Sequence, residues 1–204
     1  MGLHKKVFMV HGRYNDKLLK MKEVESLRYQ ISNVKLSAVF LSKVRKEEFK
    51  SYLLKNYCED ISFRKNLIII RSKYTCIIFH KTPGKYHVNV TKVQRLDEVS
   101  PALDYIRSKY FPSTRFQFIK HNIDNISASC SLKRFISLHQ LAKKNKNVRF
   151  NPERFPGCFL KYENQKGTLV IFSSGSINIL GCVNEAQIKQ LWNQFVTQLK
   201  IFAL

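Results

Sequence analysis

An internal repeat of about 92 residues limits the possible folds of this sequence more than any other feature. Four landmarks recur at nearly one offset: Asn33 and Asn125 (92 residues apart), Phe63 and Phe155 (92), Phe79 and Phe172 (93), and Gly84 and Gly175 (91). Repeats of this length are whole subdomains and not solenoid units. We therefore expect two similar halves related by a pseudo-twofold axis.

Both halves show the same order of predicted elements: a strand, a helix, several strands and a long helix. The first half is predicted to contain a strand over 31–38, a helix over 44–54, strands at 67–70, 74–79 and 86–91, and a helix over 96–110. The second half is predicted to contain a strand over 123–130, a helix over 132–144, strands at 157–163, 168–173 and 177–181, and an amphipathic helix over 185–199. This order indicates an α+β protein. Residues 1–26 are interpreted as a basic N-terminal arm, followed by one repeat over 27–115 and another over 116–204.

The composition favours a folded protein with an anionic partner. The chain has 204 residues, of which 44% are hydrophobic, and a net charge of +22. That hydrophobic content excludes a disordered basic tail. Nucleic acid is the natural partner for such a charge, because each neutralised phosphate releases counterions. The alternative is a basic composition that only keeps the protein in solution. We expect no membrane association and an intracellular protein, since no segment approaches the roughly 20 apolar residues of a membrane span and no signal peptide is evident.

The residues that metal and active sites require are not grouped. The five cysteines are widely spaced and form no C-x-x-C pair, and the six histidines are scattered. The motifs G-x-x-x-x-G-K-[ST], H-E-x-x-H and G-x-S-x-G do not occur. We expect no enzyme, no metal site and no cofactor, and we interpret the cysteines as reduced, buried thiols.

Three segments of the second half carry a family resemblance. The segment at 151–161 reads N-P-E-R-F-P-G-C-F-L-K, the segment at 169–175 reads L-V-I-F-S-S-G, and L-G-C follows at 180–182. Together they resemble the second repeat of the TATA-box-binding protein (TBP) family, with its N/E-P-E-x-F-P-G, L-I-F-x-S-G-K and T-G-A motifs. The resemblance covers residues 116–204, whereas 27–115 is linked to it only by the repeat offset. The sequence resembles a divergent, viral or paralogous TBP-like protein.

The resemblance implies a saddle-shaped, curved antiparallel sheet with helices on its convex face and double-stranded DNA on its concave face. Apolar wedges would open base steps in the minor groove and kink the duplex. Phe155 and Phe172 match the wedge pair of the family, and Phe79 and Phe63 are their repeat equivalents. For each ring, packing in the core is the alternative. Alternation along the strands places Thr168, Val170 and Leu180 on the face of Phe172, and Ile77 is their first-half counterpart.

Polar contacts to DNA follow from the same resemblance. Asn33 and Asn125 match the paired asparagines at the pseudo-dyad, whose amides can donate to the acceptors at the floor of the minor groove. Lys161 and Lys166 match basic residues that contact phosphate, and Arg71 is a first-half counterpart. Solvent-facing side chains are the alternative in each case.

The sequence also departs from the family pattern at the predicted DNA-facing surface. Ser127, Asn178 and Ser176 stand where the family usually has valine, valine and lysine, and Lys85, His87 and Asn89 face the groove in the first half. A polar surface fits an AT-rich groove floor less well, so the usual TATA preference is in doubt. Phosphate contacts and duplex flexibility are expected to compensate.

The resemblance also implies partners. A TBP-like initiation factor would act as a monomer on DNA and recruit a TFIIB-like factor and then RNA polymerase. The docking surface of the family corresponds here to Glu153, Arg154, Pro156 and Glu185. The expected location is the nucleus, or a cytoplasmic viral factory if the source is a large DNA virus. Two alternatives stay open: a TBP-fold module that binds a protein or single-stranded nucleic acid, and a non-specific basic architectural protein.

Overall fold

The computed structural model of the protein describes residues 28–202, which divide into two compact units. Within these limits the N-terminal unit comprises residues 31–127 and 182–184, and the C-terminal unit comprises 28–30, 128–181 and 185–202. The main division falls between 127 and 128, twelve residues after the boundary predicted from the sequence, so residues 116–127 belong to the N-terminal unit. The basic arm predicted over 1–26 lies outside the described residues.

The N-terminal unit contains a strand, a helix, four further strands and a second helix. In chain order these are β1 (Gln30–Leu41), α1 (Lys46–Asn56), β2 (Asp60–Arg64), β3 (Leu67–Arg71), β4 (Thr75–Thr82), β5 (Lys85–Val93), a short 3-10 helix (Leu96–Glu98) and α2 (Val99–Tyr110). The strand order is β2-β3-β4-β5-β1, and each neighbouring pair is antiparallel. The order of elements is the predicted one, with β2 as an additional strand that the sequence analysis did not predict.

The C-terminal unit repeats this order, with shorter strands after its first helix. Strand β6 (Gln117–Ser131) leads into it, followed by α3 (Leu138–Lys144), β7 (Val148–Arg149), β8 (Gly157–Leu160), β9 (Thr168–Phe172), β10 (Ser176–Cys182) and α4 (Glu185–Phe202). The strand order is β6-β10-β9-β8-β7. Strands β7 to β10 pair antiparallel.

In both units one face of the sheet is buried against helices, because side chains alternate between the two faces of a strand and apolar residues occupy every second position, as in Tyr86, Val88 and Val90 of β5. In the N-terminal unit the ring of Phe49 on α1 packs edge-on against Tyr86 of β5, with 5.3 Å between ring centroids. In the C-terminal unit the buried strand residues are covered by an apolar stripe of α4: Ile188, Leu191, Trp192, Phe195 and Leu199. The other side of each sheet, away from the helices, is called the open face below. This arrangement confirms the α+β class.

One predicted helix is shorter than expected. Helix α3 begins at Leu138 and not at Leu132, because residues 132–136 form backbone hydrogen bonds to the turn at 173–175. Leu132 N donates to Gly175 O over 2.9 Å, and Ile136 N donates to Ser173 O over 2.9 Å. These bonds hold the segment, which bends at Lys133 with a φ of +53°, in a non-helical conformation beside the β9–β10 turn.

The prediction of buried cysteines is correct for three residues and wrong for two. Cys76, Cys158 and Cys182 are buried, whereas Cys58 is exposed and Cys130 is half-buried. Desolvation raises the pKa of the Cys158 thiol to about 11 and that of Cys76 to about 12. Both thiols therefore stay protonated and pack as small apolar side chains.

Candidate nucleic-acid interface

Three phenylalanine rings gather on the open face of the C-terminal unit and form what we call the aromatic cluster: Phe155, Phe159 and Phe172. The ring centroids of Phe155 and Phe159 are 5.0 Å apart, and those of Phe155 and Phe172 are 5.8 Å apart. Phe159 is 40% exposed, and the other two rings are half-buried. Such a group of accessible aromatic rings on a sheet face is a candidate binding surface.

Phe155 reaches this cluster from a loop and not from a strand. Residues 150–156 connect β7 to β8, and the carbonyl of Asn151 accepts hydrogen bonds from the backbone N–H groups of Arg154 and Phe155. The Asn151 side chain fixes the same turn, since its Oδ1 accepts from Glu153 N over 3.2 Å. The ring direction is therefore set by turn geometry.

The two rings that the sequence predicts as wedges close over Gly157. Gly157 lies opposite Phe172 in the β8–β9 pairing. A Cβ atom at residue 157 would lie 2.9 Å from Cε1 of Phe155 and 3.1 Å from Cε1 of Phe172. Only glycine permits this approach without moving a ring. The F-P-G sequence therefore positions both predicted wedges.

Of the other predicted contacts in this unit, two are accessible and one is not. Leu180 is 40% exposed and pairs with Thr168, which is half-buried. Val170 also lies on the open face, between Phe159 and Asn178, but it is only 3% exposed. The prediction that Val170 offers surface to DNA is therefore wrong in this structure. Its side chain fills the space between its neighbours instead.

Two basic grooves lie in this unit. One, of about 550 Å³, is lined by Lys146, Asn147, Arg149, Phe159, Lys161, Glu163 and Thr168. The other, of about 870 Å³, includes Arg28, Lys133, Arg134, Ser176 and Asn178 in its lining. The predicted phosphate contact Lys161 thus borders the aromatic cluster, whereas the exposed Lys166 is not part of either lining. The positive charge of both grooves suits a polyanion.

The open face of the N-terminal unit carries a single predicted wedge among apolar neighbours. Phe79 is half-buried between Leu67 of β3 and His87 of β5. Ile77 has the same exposure class and lies between Ile69 and Asn89. Both predicted residues thus lie where a ligand of the open face would touch them.

Arg71 shares this face but is already paired. Its Nη1 lies 3.2 Å from Oδ2 of Asp60 and 3.1 Å from Oγ of Ser62. The pair is solvent-exposed and therefore weak. Arg71 can exchange Asp60 for a phosphate at small cost.

Phe63, by contrast, does not lie on the open face, so its predicted equivalence to Phe155 is wrong. It pairs with Ile68, whose side chain is 2% exposed on the buried face, and the Nζ of Lys50 on α1 lies 5.1 Å from its ring centroid. The physical reason is the connection between β2 and β3, which is only Lys65 and Asn66. Phe63 is therefore held in strand alternation, whereas Phe155 is released by a loop.

The two predicted pseudo-dyad asparagines both belong to the N-terminal unit and are half-buried. Asn33 precedes the buried Val34 in β1, and Asn125 precedes the buried Ile126 in β6, which places both on the open face. Nδ2 of Asn125 donates to Oγ of Ser127 over 3.1 Å. Of the predicted docking residues, Glu153, Arg154 and Pro156 are exposed in the β7–β8 loop, and Glu185 is exposed at the start of α4.

Sequence reasoning missed two residues of this interface, Phe159 and Arg149. Phe159 follows Gly157 by two residues in β8, so strand alternation alone could have placed it on the open face. Arg149 ends the two-residue strand β7, which is too short to give a pattern. Among the described residues no group of three or more His, Cys, Asp or Glu side chains could hold a metal ion. No helix in the described part of the chain is long and apolar enough to cross a membrane.

Each of the two repeats has an antiparallel sheet backed by helices, and the open face of the C-terminal unit carries the aromatic cluster. This architecture is that of the TBP fold. The solved structure of Methanococcus jannaschii TBP matches 87% of this chain and 99% of its own, with a TM-score of 0.69 and 22% sequence identity. Residues 120–202 match the family model "Transcription factor TFIID (or TATA-binding protein, TBP)".

Two curated relatives agree with that match. The TATA-box-binding protein of Thermococcus celer is 32% identical over 82 residues, which are 40% of this chain and 43% of the relative. That of Sulfolobus acidocaldarius is 28% identical over 83 residues, 41% of this chain and 42% of the relative. The matched segment thus spans less than half the length of these relatives. Residues 120–202 are therefore similar in sequence to the TBP family, and the fold of the chain is similar to that of TBP.

Proposed function

We propose that this protein is a TBP-like transcription initiation factor that binds duplex DNA through the minor groove and bends it. The observation that carries the proposal is the aromatic cluster, which combines accessible apolar rings with a neighbouring basic groove on one open face. Apolar side chains that enter base steps together with cations that contact phosphate are the means by which minor-groove proteins kink DNA. The family match and the fold support the same function.

The free-energy cost of bending DNA requires both the aromatic rings and the cations. Bending a binding site by tens of degrees costs on the order of 1–6 kcal/mol. Partial unstacking by Phe155 and Phe172 lowers the resistance of the duplex at the kink, and Lys161 and Arg149 bring phosphates close to the rings. The net charge of +22 supplies the long-range attraction.

We also propose that the bound protein recruits a TFIIB-like factor and RNA polymerase. The support is the family resemblance together with the exposure of Glu153, Arg154, Pro156 and Glu185 in the C-terminal unit. Two of these four side chains are carboxylates on a strongly basic protein, which gives a docking partner a local charge to recognise.

The proposal is tested with the unmodified protein and a duplex that carries a fluorophore at each end. Binding is expected to shorten the distance between the ends, and a minor-groove ligand such as netropsin is expected to displace the protein at fixed salt. Both results follow from occupation of the minor groove. Binding without a change in end-to-end distance, unaffected by netropsin, would rule the function out.

The polar character of the open face favours one alternative, a TBP-fold module that binds a protein or single-stranded nucleic acid. Asn89, His87, Ser176 and Asn178 lie beside the apolar contact residues on this face. A pull-down that recovers a protein partner but no TFIIB-like factor, together with no shift of duplex DNA at moderate salt, would support this alternative.

A pair of variants in the N-terminal unit tests which face of the sheet contacts DNA. Phe79→Ala is expected to reduce the bend angle and to weaken duplex binding about tenfold, since a ring on the open face is lost. Phe63→Ala is the matched control, because its ring lies on the opposite face and its loss should leave binding within about twofold. End-to-end distance and titration by fluorescence anisotropy measure both. Equal effects of the two variants would contradict the face assignment.

A further inference from the structure

Two asparagines hold the same place in the two hairpins that carry the predicted wedges. In the N-terminal unit Asn89 lies opposite Ile77, two residues before Phe79. In the C-terminal unit Asn178 lies opposite Val170, two residues before Phe172. On each open face an amide therefore lies beside an aliphatic residue, half-buried in Ile77 and buried in Val170, and next to a phenylalanine.

The repeat offset does not reveal that these two asparagines are equivalent. Asn89 and Asn178 are 89 residues apart, whereas the other landmarks are 91 to 93 apart. The difference arises because the N-terminal hairpin is longer: ten residues separate Phe79 from Asn89, but only six separate Phe172 from Asn178. A register shift between Phe79 and Thr82 accompanies the longer hairpin.

Both amides are placed to meet a ligand of the open face. Each is half-buried within a strand, so its direction is fixed by the pairing of its neighbours. Asn178 also lines the groove of about 870 Å³ that contains the cations of Arg28, Lys133 and Arg134. A polyanion drawn into this groove would therefore bring its edge to the Asn178 amide.

The chemistry of an amide in the minor groove indicates what it reads. A·T and T·A pairs present only acceptors there, whereas a G·C pair adds the N2 amino donor of guanine. The Oδ1 of asparagine can accept from that amino group while its Nδ2 donates to a neighbouring acceptor. An aliphatic residue would leave the guanine amino group buried without a partner, which costs binding energy.

We infer that Asn89 and Asn178 are a matched pair of base-reading side chains, one in each unit, that select duplexes with a G·C pair at the base step each one faces. The inference rests on the proposed minor-groove function and adds the class of DNA that the protein prefers. The preferred sites are expected to contain guanine at two steps, in contrast to sites made only of A·T pairs.

The test uses duplexes enriched from a random library by the full-length protein. In the enriched site each guanine is replaced in turn by inosine, which still pairs with cytosine but lacks the minor-groove amino group. Replacement at two steps is expected to weaken binding about fivefold each, the effect of losing one hydrogen bond. Replacement at other steps should change the affinity less than twofold.

Two variants then show which of the two amides contacts each base step. Asn178→Val is expected to abolish the weakening by inosine at one step and Asn89→Val at the other, because valine offers the guanine amino group no acceptor. The bend angle should stay unchanged. Asn164→Val is the matched control, since Asn164 is exposed in the loop between β8 and β9 and lines neither basic groove. It should keep both responses.

The outcomes distinguish a failure of the inference from a failure of the proposed function on which it rests. Enriched sites without guanine, or guanines that inosine replaces without effect, would overturn the inference while bending and netropsin displacement still support minor-groove binding. These measurements use the unmodified protein, so they do not depend on the folding of any variant. Absence of both bending and netropsin displacement would instead remove the proposed function and the inference with it.

Discussion

Replacing Phe155 and Phe172 together by alanine is expected to abolish DNA bending and to weaken duplex binding about a hundredfold or more. The two rings pack over Gly157 with 5.8 Å between their centroids, so they form one unit and their losses will not add independently. Buried aromatic anchors at interfaces commonly cost 2 kcal/mol or more when truncated. Without them the duplex has no apolar group to hold a base step open.

The measurement is the end-to-end distance of a doubly labelled duplex at saturating protein and fixed salt. The basic surplus is unchanged in the double variant, so the residual binding should keep its salt dependence. Thermal unfolding checks that the variant is folded. The double variant with leucine at both positions is the matched control, because leucine keeps an apolar wedge and should keep part of the bend.

A double alanine variant that bends DNA as the parent does would contradict the wedge assignment. Loss of bending in both the alanine and the leucine variants, with unchanged unfolding temperature, would instead indicate that the aromatic rings themselves are required. The two results are distinguishable in one titration series.

In the C-terminal interface the face of Phe172 was predictable, because side chains alternate between the two faces of a strand. Leu169, Ile171, Ile177 and Ile179 are completely buried, so the sequence pattern alone places Phe172 on the other face. The position of Phe155 could not come from alternation, since it lies in a loop. There the F-P-G motif carried the prediction, and the contact over Gly157 explains why the motif has that composition.

The N-terminal interface was less predictable because a repeat offset records residue number and not the direction of a side chain. Phe63 keeps the 92-residue offset from Phe155, but a two-residue turn in place of a loop puts its ring on the buried face.

Val170 shows a limit of prediction from strand alternation. Its place on the open face follows from alternation, but its burial depends on Phe159 of the neighbouring strand, which alternation within β9 does not reveal.

The turn that carries Phe172 also provides the largest expected effect on stability. Gly175 has φ of +86°, and a Cβ atom there would lie 2.2 Å from the backbone carbonyl oxygen of Arg134. That carbonyl belongs to the segment held by the hydrogen bonds from Leu132 and Ile136, so it cannot move aside freely. Gly175→Ala is therefore expected to lower the free energy of unfolding by about 3 kcal/mol or more, from left-handed strain and overpacking together.

Gly84→Ala is a matched control supplied by the repeat itself. Gly84 occupies the corresponding turn of the N-terminal unit with φ of +76°, but the nearest atom to its Cβ position is Ser42 O at 3.7 Å. Alanine there should cost only the left-handed strain of about 1–2 kcal/mol. The midpoint temperature of thermal unfolding should decrease by about 6–12 °C for Gly175→Ala and by a clearly smaller amount for Gly84→Ala.

Equal decreases of the midpoint temperature would mean that the segment around Arg134 moves to accommodate the new methyl group. In that case the segment at 132–136 would not brace the β9–β10 turn, and the orientation of Phe172 would depend on the sheet alone.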